Sequence, residues 1–132
     1  MLPGLAMPTV QVYQRFDEMG LGREADIEQP PPWNQWTRLD SEKLMGCLVN
    51  DLEPPAFALA PQLSALRQRT EQIVSRPVRM SGSGSSLFTL FDDRPQAKEA
   101  GKQIEAITHV RAPIVEVAPT VHDDLNEASE DR

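Results

Sequence analysis

The sequence predicts an α+β fold in which helices pack on one face of a small, mainly antiparallel sheet. Apolar residues recur at helical spacing in several segments before residue 75, as in amphipathic helices. After Pro77, two short apolar runs flank a glycine-rich turn, which is typical of two neighbouring strands. Because the helices come mostly before the strands, separate layers are favoured over a regular βαβ alternation.

The first predicted helix follows Thr9. This threonine is placed to be the N-cap of a helix that ends at Gly20. The apolar positions of this helix are Val12, Tyr13, Phe16 and Met19. Residues 21–38 are polar and contain three consecutive prolines, so we expect a surface loop with a polyproline II stretch. A loop insertion is favoured there over a docking site for an SH3 or WW module.

Two further helices are expected in the middle of the chain. One begins near Asp40 or Ser41, because either side chain can cap the first amides of a helix. Its apolar face comprises Leu44, Met45, Leu48 and Val49. The other opens at Pro61, a residue suited to the first turn, and continues through Ile73. Between them, Pro54 and Pro55 either interrupt the first helix or start another one.

The second part of the chain is predicted to form the sheet. Residues 78–80 and 87–91 are the strands on either side of the glycine turn, and residues 114–117 are a further strand. The two aspartates after residue 91 are interpreted as a turn. A modest helix is expected over residues 95–106.

The charge of the chain is unevenly distributed. The chain has 20 acidic and 13 basic residues and a net charge of −7, and residues 119–132 hold −4 of it with five acids and one arginine. We therefore expect one domain over residues 1–118 and an acidic, disordered tail over residues 119–132. So polar a tail buries too little apolar surface to offset the entropy of ordering.

Composition disfavours several classes of protein and site. An acidic chain is a poor partner for a nucleic-acid backbone. The N-terminus has no basic region typical of a signal peptide, and no apolar run reaches the length of about 18 residues that spans a membrane, so neither export nor membrane spanning is expected. A single cysteine, Cys47, excludes an internal disulfide and favours the cytoplasm. His109 and His122 are far apart, so no metal site is predicted.

The most distinctive stretch is the glycine turn within residues 80–91. Gly82 and Gly84 permit positive φ and expose backbone N–H groups that can hold an anion, although a plain hairpin turn has the same composition. No Gly-Lys-Ser or Gly-Lys-Thr follows, so this is not a Walker A loop. Leu87 occupies the place of the third glycine of a dinucleotide fingerprint.

Three motifs together resemble the carboxyl-terminal domain of the GHMP kinases. Residues 80–88, MSGSGSSLF, resemble the third motif of that superfamily. Residues 50–53, NDLE, and the opening PGLAMPTVQVY of residues 3–13 are similar to one branch, the 4-diphosphocytidyl-2-C-methyl-D-erythritol kinases. The motifs stand in the family's order over residues 2–118.

The resemblance implies a ferredoxin-like domain and the carboxyl-terminal half of a kinase that uses ATP and Mg²⁺. The implied substrate is cytidine-diphosphate methylerythritol, in non-mevalonate isoprenoid (terpenoid) biosynthesis. By position, Gly82, Ser83, Gly84 and Ser85 would lie beside the phosphates of ATP, and Thr9 on the substrate side. The nucleotide-cradling loop and the residues that assist the attacking hydroxyl belong to the amino-terminal half. No catalytic residue is therefore assigned, and the chain alone is expected to be inactive.

The sequence allows alternative interpretations of some polar residues and of the function. Asn50, Asp51 and Glu53 are either magnesium ligands or, preferably, a polar cluster that caps a helix end. Arg76 and Arg79 either help to neutralise phosphate or lie at a solvated strand edge. The alternatives to a kinase half are a non-catalytic ligand-binding or interaction module and a truncated remnant.

Deleting residues 119–132 tests the predicted tail. We expect the melting temperature to fall by no more than about 2 °C, because a disordered segment contributes little to the free energy of unfolding. Thermal denaturation of the full and shortened chains measures this difference. A large drop would show that the tail packs on the domain.

Overall fold

A computed structural model describes residues 1–22 and 30–117. Within those ranges it contains six helices and one two-stranded sheet, so the predicted α+β class is confirmed. In chain order the elements are α1 (Thr9–Glu18), α2 (Trp33–Trp36), α3 (Ser41–Cys47), α4 (Glu53–Leu59), α5 (Pro61–Val74), β1 (Arg79–Met80), β2 (Leu87–Phe88) and α6 (Arg94–Thr108). The tail predicted over residues 119–132 lies outside the described residues.

The sheet is an antiparallel hairpin with very short strands. Arg79 pairs with Phe88, and Met80 pairs with Leu87. The N-terminal segment extends this pairing on the far side of β2. The Met1 nitrogen donates to the Leu87 carbonyl oxygen at 2.6 Å, and the Leu87 N–H group donates to the Met1 carbonyl oxygen at 3.2 Å. Two residues that exchange both hydrogen bonds have the pattern of an antiparallel ladder.

The strand predicted at residues 114–117 is wrong. Leu2 forms an isolated antiparallel bridge with Arg111, and residues 112–117 make no backbone–backbone hydrogen bond within the described part of the chain. Val115 and Val117 are 78% and 81% exposed. Apolar β-branched residues favour a strand only where a neighbouring strand and a buried face are available, and this segment has neither.

The core lies between the inner face of the hairpin and helices α1, α4 and α5. Val78, Met80 and Leu87 are no more than 2% exposed. They pack against Val12 of α1, Ala56 of α4, Leu63 of α5 and Ala60, which lies between α4 and α5. This burial fixes one face of the hairpin, so the glycine turn stands on a packed base.

Helix α1 begins one residue earlier than predicted. Pro8 has an extended backbone, and its carbonyl oxygen accepts the N–H groups of Gln11 and Val12 at 2.9 and 3.2 Å, so Pro8 is the N-cap. Thr9 is the first helical residue, and the interpretation of its side chain as a cap is wrong. Its hydroxyl is available for another contact.

Helix α3 begins as predicted but ends sooner. The Asp40 carboxylate accepts the Lys43 N–H group at 2.8 Å and caps the helix. The hydrogen bond from the Lys43 side chain lowers the pKa of Asp40, and the same pair raises the pKa of Lys43. Met45 is fully buried, whereas Val49, which was expected on the same apolar face, lies beyond the helix and is 82% exposed.

The segment predicted as a proline-rich loop contains a short helix in its described part. Pro32, with φ near −75°, precedes the single turn of α2. The rings of Trp33 and Trp36 meet edge to face with their centroids 5.3 Å apart, a favourable arrangement that accompanies the turn. The earlier part of that loop, residues 23–29, lies outside the described residues.

Helices α5 and α6 agree closely with the predicted positions, and they pack against each other. Helix α5 begins at Pro61 as expected and ends before Ser75, which has a left-handed backbone. Helix α6 begins at Arg94 because the Asp93 carboxylate accepts the Gln96 N–H group at 2.8 Å. The predicted turn therefore also supplies the N-cap of α6.

A membrane-spanning helix requires about 20 predominantly apolar residues. Within residues 1–22 and 30–117, no helix is both long enough and apolar enough to cross a bilayer.

The two glycines of the turn have different structural requirements. Gly84 has a φ of +93°, and a Cβ added there would lie 2.9 Å from the Met80 Sδ and 3.3 Å from the Met7 Cγ. Gly82 has a φ of +56°, but a Cβ added there would have no heavy atom within 4 Å. Gly84 is therefore required by backbone conformation and by space, and Gly82 by conformation alone.

Alanine at each of these positions separates the two requirements. We expect Gly84→Ala to lower the free energy of unfolding by about 2–4 kcal/mol, because positive φ and crowding both contribute. The matched control, Gly82→Ala, should lose only about 1 kcal/mol. Urea denaturation of the two variants and the unchanged chain measures the difference. Equal losses in the two variants would contradict the packing of Gly84.

Candidate functional site

The candidate site is the glycine loop, Ser81–Ser86, which joins β1 to β2. Its base is closed by a hydrogen bond from the Ser81 N–H group to the Ser86 carbonyl oxygen at 2.9 Å. Within the loop, the Gly84 N–H group donates to the Ser81 carbonyl oxygen at 3.1 Å. Positive φ at two positions lets the backbone turn in so short a span. These main-chain hydrogen bonds and the positive φ values define the turn of the loop.

Some donors of the glycine loop remain available to a ligand. Within the described part of the chain, no acceptor pairs with the N–H groups of Gly82 and Ser83. Gly82 is exposed and Ser83 is partly exposed. Successive N–H groups in a glycine turn form a concave surface that binds anions. The loop therefore offers neutral donors of the kind that phosphate oxygens accept.

Asn50 holds the glycine loop from one side. Its carboxamide nitrogen donates to the carbonyl oxygens of Met80 at 2.9 Å and Gly82 at 2.8 Å. Its carboxamide oxygen accepts the Leu52 N–H group at 3.0 Å. The bond to Leu52 agrees with the predicted capping of a turn. The bonds to Met80 and Gly82 reach a segment some 30 residues further along the chain.

Two more hydrogen bonds fix the hairpin and its loop. The Glu53 carboxylate accepts the Met80 N–H group at 2.7 Å. The Ser85 hydroxyl donates to the Leu5 carbonyl oxygen at 2.7 Å, so this predicted site residue ties the loop to the N-terminal segment. The carboxylate at position 53 thus binds main chain. These bonds favour a structural role for the polar cluster over a role in metal binding. The cluster binds main-chain groups of the hairpin as well as its own turn.

The structure brings together the two parts of the predicted site. The hydroxyl of Thr9 lies 3.0 Å from the hydroxyl of Ser83, although 74 positions separate them in the sequence. This contact places the N-terminal end of α1 beside the glycine loop, and helix N-termini favour negative charge. Tyr13 lies one turn further along α1, on the side of Thr9, and its side chain is 53% exposed.

Among the hydrogen bonds of the described residues, Arg76 and Arg79 make none to the glycine loop. Arg79 donates through Nε to the Leu48 carbonyl oxygen at 2.8 Å, beside an open cleft of about 430 Å³ that Asn50 also lines. Arg76 donates to the Ser41 hydroxyl at 3.0 Å and to the Leu90 carbonyl oxygen at 3.1 Å. The Asp92 carboxylate accepts two hydrogen bonds from the same serine, so this group of side chains anchors the start of α3.

Candidate metal ligands do not cluster in the described residues. Within residues 1–22 and 30–117, no three His, Cys, Asp or Glu side chains are placed to hold one metal ion. His109 ends α6 in a left-handed conformation, and Cys47 is half-buried in the last turn of α3. His122 lies outside the described residues.

Comparison with known proteins gives a consistent match. A family model described as GHMP kinases C terminal matches residues 38–108, which is more than half of the chain. The matched range contains the polar turn at residues 50–53 and the whole glycine loop. Thr9 lies outside it.

The chain is similar to several curated kinases. The 4-diphosphocytidyl-2-C-methyl-D-erythritol kinase of Cereibacter sphaeroides is 34% identical over 107 residues, which are 77% of this chain and 36% of that protein. The Thermus thermophilus protein of the same name is 32% identical over 114 residues, covering 79% of this chain and 36% of that protein. The Sinorhizobium medicae protein of that name is 47% identical over 62 residues, covering 47% of this chain and 20% of that protein. The chain thus spans about a third of the length of the first two. No solved structure matches the chain.

Two substitutions at Glu53 test how β1 is held. We expect Glu53→Ala to lower the free energy of unfolding by about 1–3 kcal/mol, because the buried Met80 N–H group loses its acceptor. Glu53→Gln keeps a carbonyl oxygen in reach and should cost less than about 1 kcal/mol. Chemical denaturation of both variants measures the two losses. A glutamine variant as unstable as the alanine variant would show that the acceptor is not what matters.

Proposed function

Because the chain belongs to the GHMP kinase C-terminal family, we propose that it is the carboxyl-terminal part of a kinase for 4-diphosphocytidyl-2-C-methyl-D-erythritol. The proposed reaction transfers a phosphoryl group from ATP to a hydroxyl of this substrate, in non-mevalonate isoprenoid biosynthesis. The names of the similar curated proteins support the substrate. The observation that carries the proposal is the contact between Thr9 and the glycine loop, because it unites the two implied halves of the site.

The glycine loop is proposed to form one wall of the ATP phosphate site. Phosphoryl transfer depends mainly on positioning and on the stabilisation of charge. The N–H groups of Gly82 and Ser83 and the Ser83 hydroxyl are donors that fit phosphate oxygens. Ser85 is proposed to act indirectly, because its hydroxyl binds the Leu5 carbonyl oxygen and so fixes the loop. Gly84 lets the main chain pack closely against the core below the donors.

The substrate is proposed to approach along the start of α1. The Thr9 hydroxyl is exposed and lies beside Ser83, so it is placed to bind the substrate near the transferred phosphoryl group. Tyr13 presents a half-exposed ring one turn away, on which a planar base such as cytosine can stack. These two residues would orient the substrate, while the loop orients ATP.

ATP and Mg²⁺ are proposed cofactors of the complete enzyme. ATP supplies the phosphoryl group, and the donors of the loop fit its phosphates. The described residues do not offer a set of acidic side chains that fits Mg²⁺, so no residue of this chain is assigned to the metal. The metal site and the residues that assist the attacking hydroxyl are proposed to lie in an amino-terminal half, since the chain spans about a third of its curated relatives. We propose a cytoplasmic location for the enzyme.

Activity measurements on separated halves test the proposal. We expect no ADP release from ATP and the cytidine-diphosphate methylerythritol substrate with this chain alone, because one wall of the cleft cannot position both reactants. Addition of the amino-terminal part of the Cereibacter sphaeroides relative should produce turnover. That part alone and a mixture without the methylerythritol substrate are the controls.

The outcomes distinguish the alternatives. Turnover by this chain alone would refute the proposal that it is a partial enzyme. No turnover on mixing, with binding of the substrate or of ATP retained, would favour a non-catalytic binding module. Neither turnover nor binding would favour a truncated remnant.

A further inference from the structure

We propose that Asn50 is a positioning residue that aims the Ser83 N–H group of the glycine loop outward, toward a bound phosphate. The inference rests on the proposed function, because it takes the loop to be a wall of the phosphate site. It extends that function by assigning a role to a side chain that lies outside the loop. The assignment follows from three hydrogen bonds and from the geometry of one peptide group.

The three hydrogen bonds fix the orientation of the Asn50 carboxamide. The nitrogen faces two carbonyl oxygens, those of Met80 and Gly82, and the oxygen faces the Leu52 N–H group. A flipped amide would place its oxygen against two other oxygens and its NH₂ group against a donor, so only the observed orientation satisfies all three partners.

The bond to Gly82 determines where the next N–H group points. In a trans peptide, the carbonyl oxygen and the following N–H group belong to one plane and point in opposite directions. The Gly82 carbonyl oxygen is directed at Asn50, so the Ser83 N–H group points away from it. Within the described residues this N–H group has no protein acceptor. The side chain of Ser83 lies beside Thr9, at the proposed substrate side.

A side chain is needed for this because the loop backbone is permissive. Rotation of the peptide between Gly82 and Ser83 changes ψ of Gly82 and φ of Ser83. Gly82 has no Cβ, and no heavy atom lies within 4 Å of the place where a Cβ would stand, so the glycine side does not oppose the rotation. After rotation, a carbonyl oxygen would face the phosphate and repel it. By binding that oxygen, Asn50 keeps a donor, and not an acceptor, at the ligand face. The same carboxamide holds the Met80 carbonyl oxygen, while the adjoining Ser81 N–H group closes the base of the loop.

The test uses inorganic pyrophosphate as the probe and the ¹⁵N-labelled full chain. In Asn50→Ser, the hydroxyl is still placed to accept the Leu52 N–H group, but the side chain is too short to reach both carbonyl oxygens. We expect pyrophosphate to bind this variant roughly tenfold more weakly than the unchanged chain, the effect of losing about one hydrogen bond. The Ser83 amide resonance should shift on binding in the unchanged chain and lose that shift in the variant. Asn34→Ser, an exposed substitution of the same kind on α2, is the matched control and should bind normally.

A crystal structure of the variant decides the question independently of binding. We expect the Gly82–Ser83 peptide to rotate in Asn50→Ser, with its carbonyl oxygen turned toward solvent. An unrotated peptide, or unchanged affinity for pyrophosphate, would overturn the proposal. If the unchanged chain does not bind pyrophosphate, the phosphate site fails, and peptide rotation in the crystal still decides whether Asn50 orients the loop.

A second variant covers the case in which the serine variant does not fold. Asn50→Asp keeps the size of the side chain and the acceptor for Leu52, but it turns an oxygen toward the two carbonyl oxygens. The same weakening and the same rotation are expected. Failure of both variants to fold would show that Asn50 is required for stability and would overturn its specific role in aiming the donor.

Discussion

The glycine loop depends on one constraint, which is that its hairpin is too short to hold itself. Strands of two residues form few ladder hydrogen bonds, and an isolated two-stranded hairpin is marginal in water. The remaining main-chain groups need partners, because a buried polar group without one is costly. The side chains of Asn50 and Glu53 supply them for Met80, and Met1 pairs with both main-chain groups of Leu87 in β2. Asn50 also binds the exposed carbonyl oxygen of Gly82. The conformation of the loop is therefore set mainly from outside the hairpin.

Because of this constraint, the site is built from three segments that are distant in the sequence: the N-terminal segment, the turn at residues 50–53 and the hairpin. The turn at residues 50–53 holds one side of the hairpin, and the N-terminal segment binds the loop through Leu5 and Thr9. Helix α1 follows the N-terminal segment and helix α4 begins at Glu53, and both helices contribute side chains to the buried cluster beneath the loop. Donors held in this way need little reorganisation when an anion binds, and preorganised donors are what electrostatic stabilisation of a transferring group requires.

The sequence predicted those features that depend on residues close together in the chain, such as the starts of helices. A capping side chain before a helical pattern located the start of α3 near Asp40 or Ser41, and a proline in a first turn located α5 at Pro61. The strand at residues 114–117 failed because strand formation depends on a partner edge, which composition does not reveal.

The site was predictable to a different extent. The family resemblance located the glycine loop and Thr9, but no spacing implies that the hydroxyls of Thr9 and Ser83 lie 3.0 Å apart. The sequence neighbours of Asn50 predict a local capping role, and its bond to Leu52 agrees with that role. Its two bonds to the loop could not be inferred, because hydrogen bonds between a side chain and distant main chain leave no periodic pattern. In the proposed kinase, the N–H groups of the glycine loop are neutral, so they orient phosphates without offsetting their charge. Arg76 and Arg79, the nearby arginines, bind carbonyl oxygens outside the loop. In that proposal, the positive charge that phosphoryl transfer requires is assigned to Mg²⁺ and to the proposed amino-terminal half. The role proposed for the present chain is therefore to position the reactants.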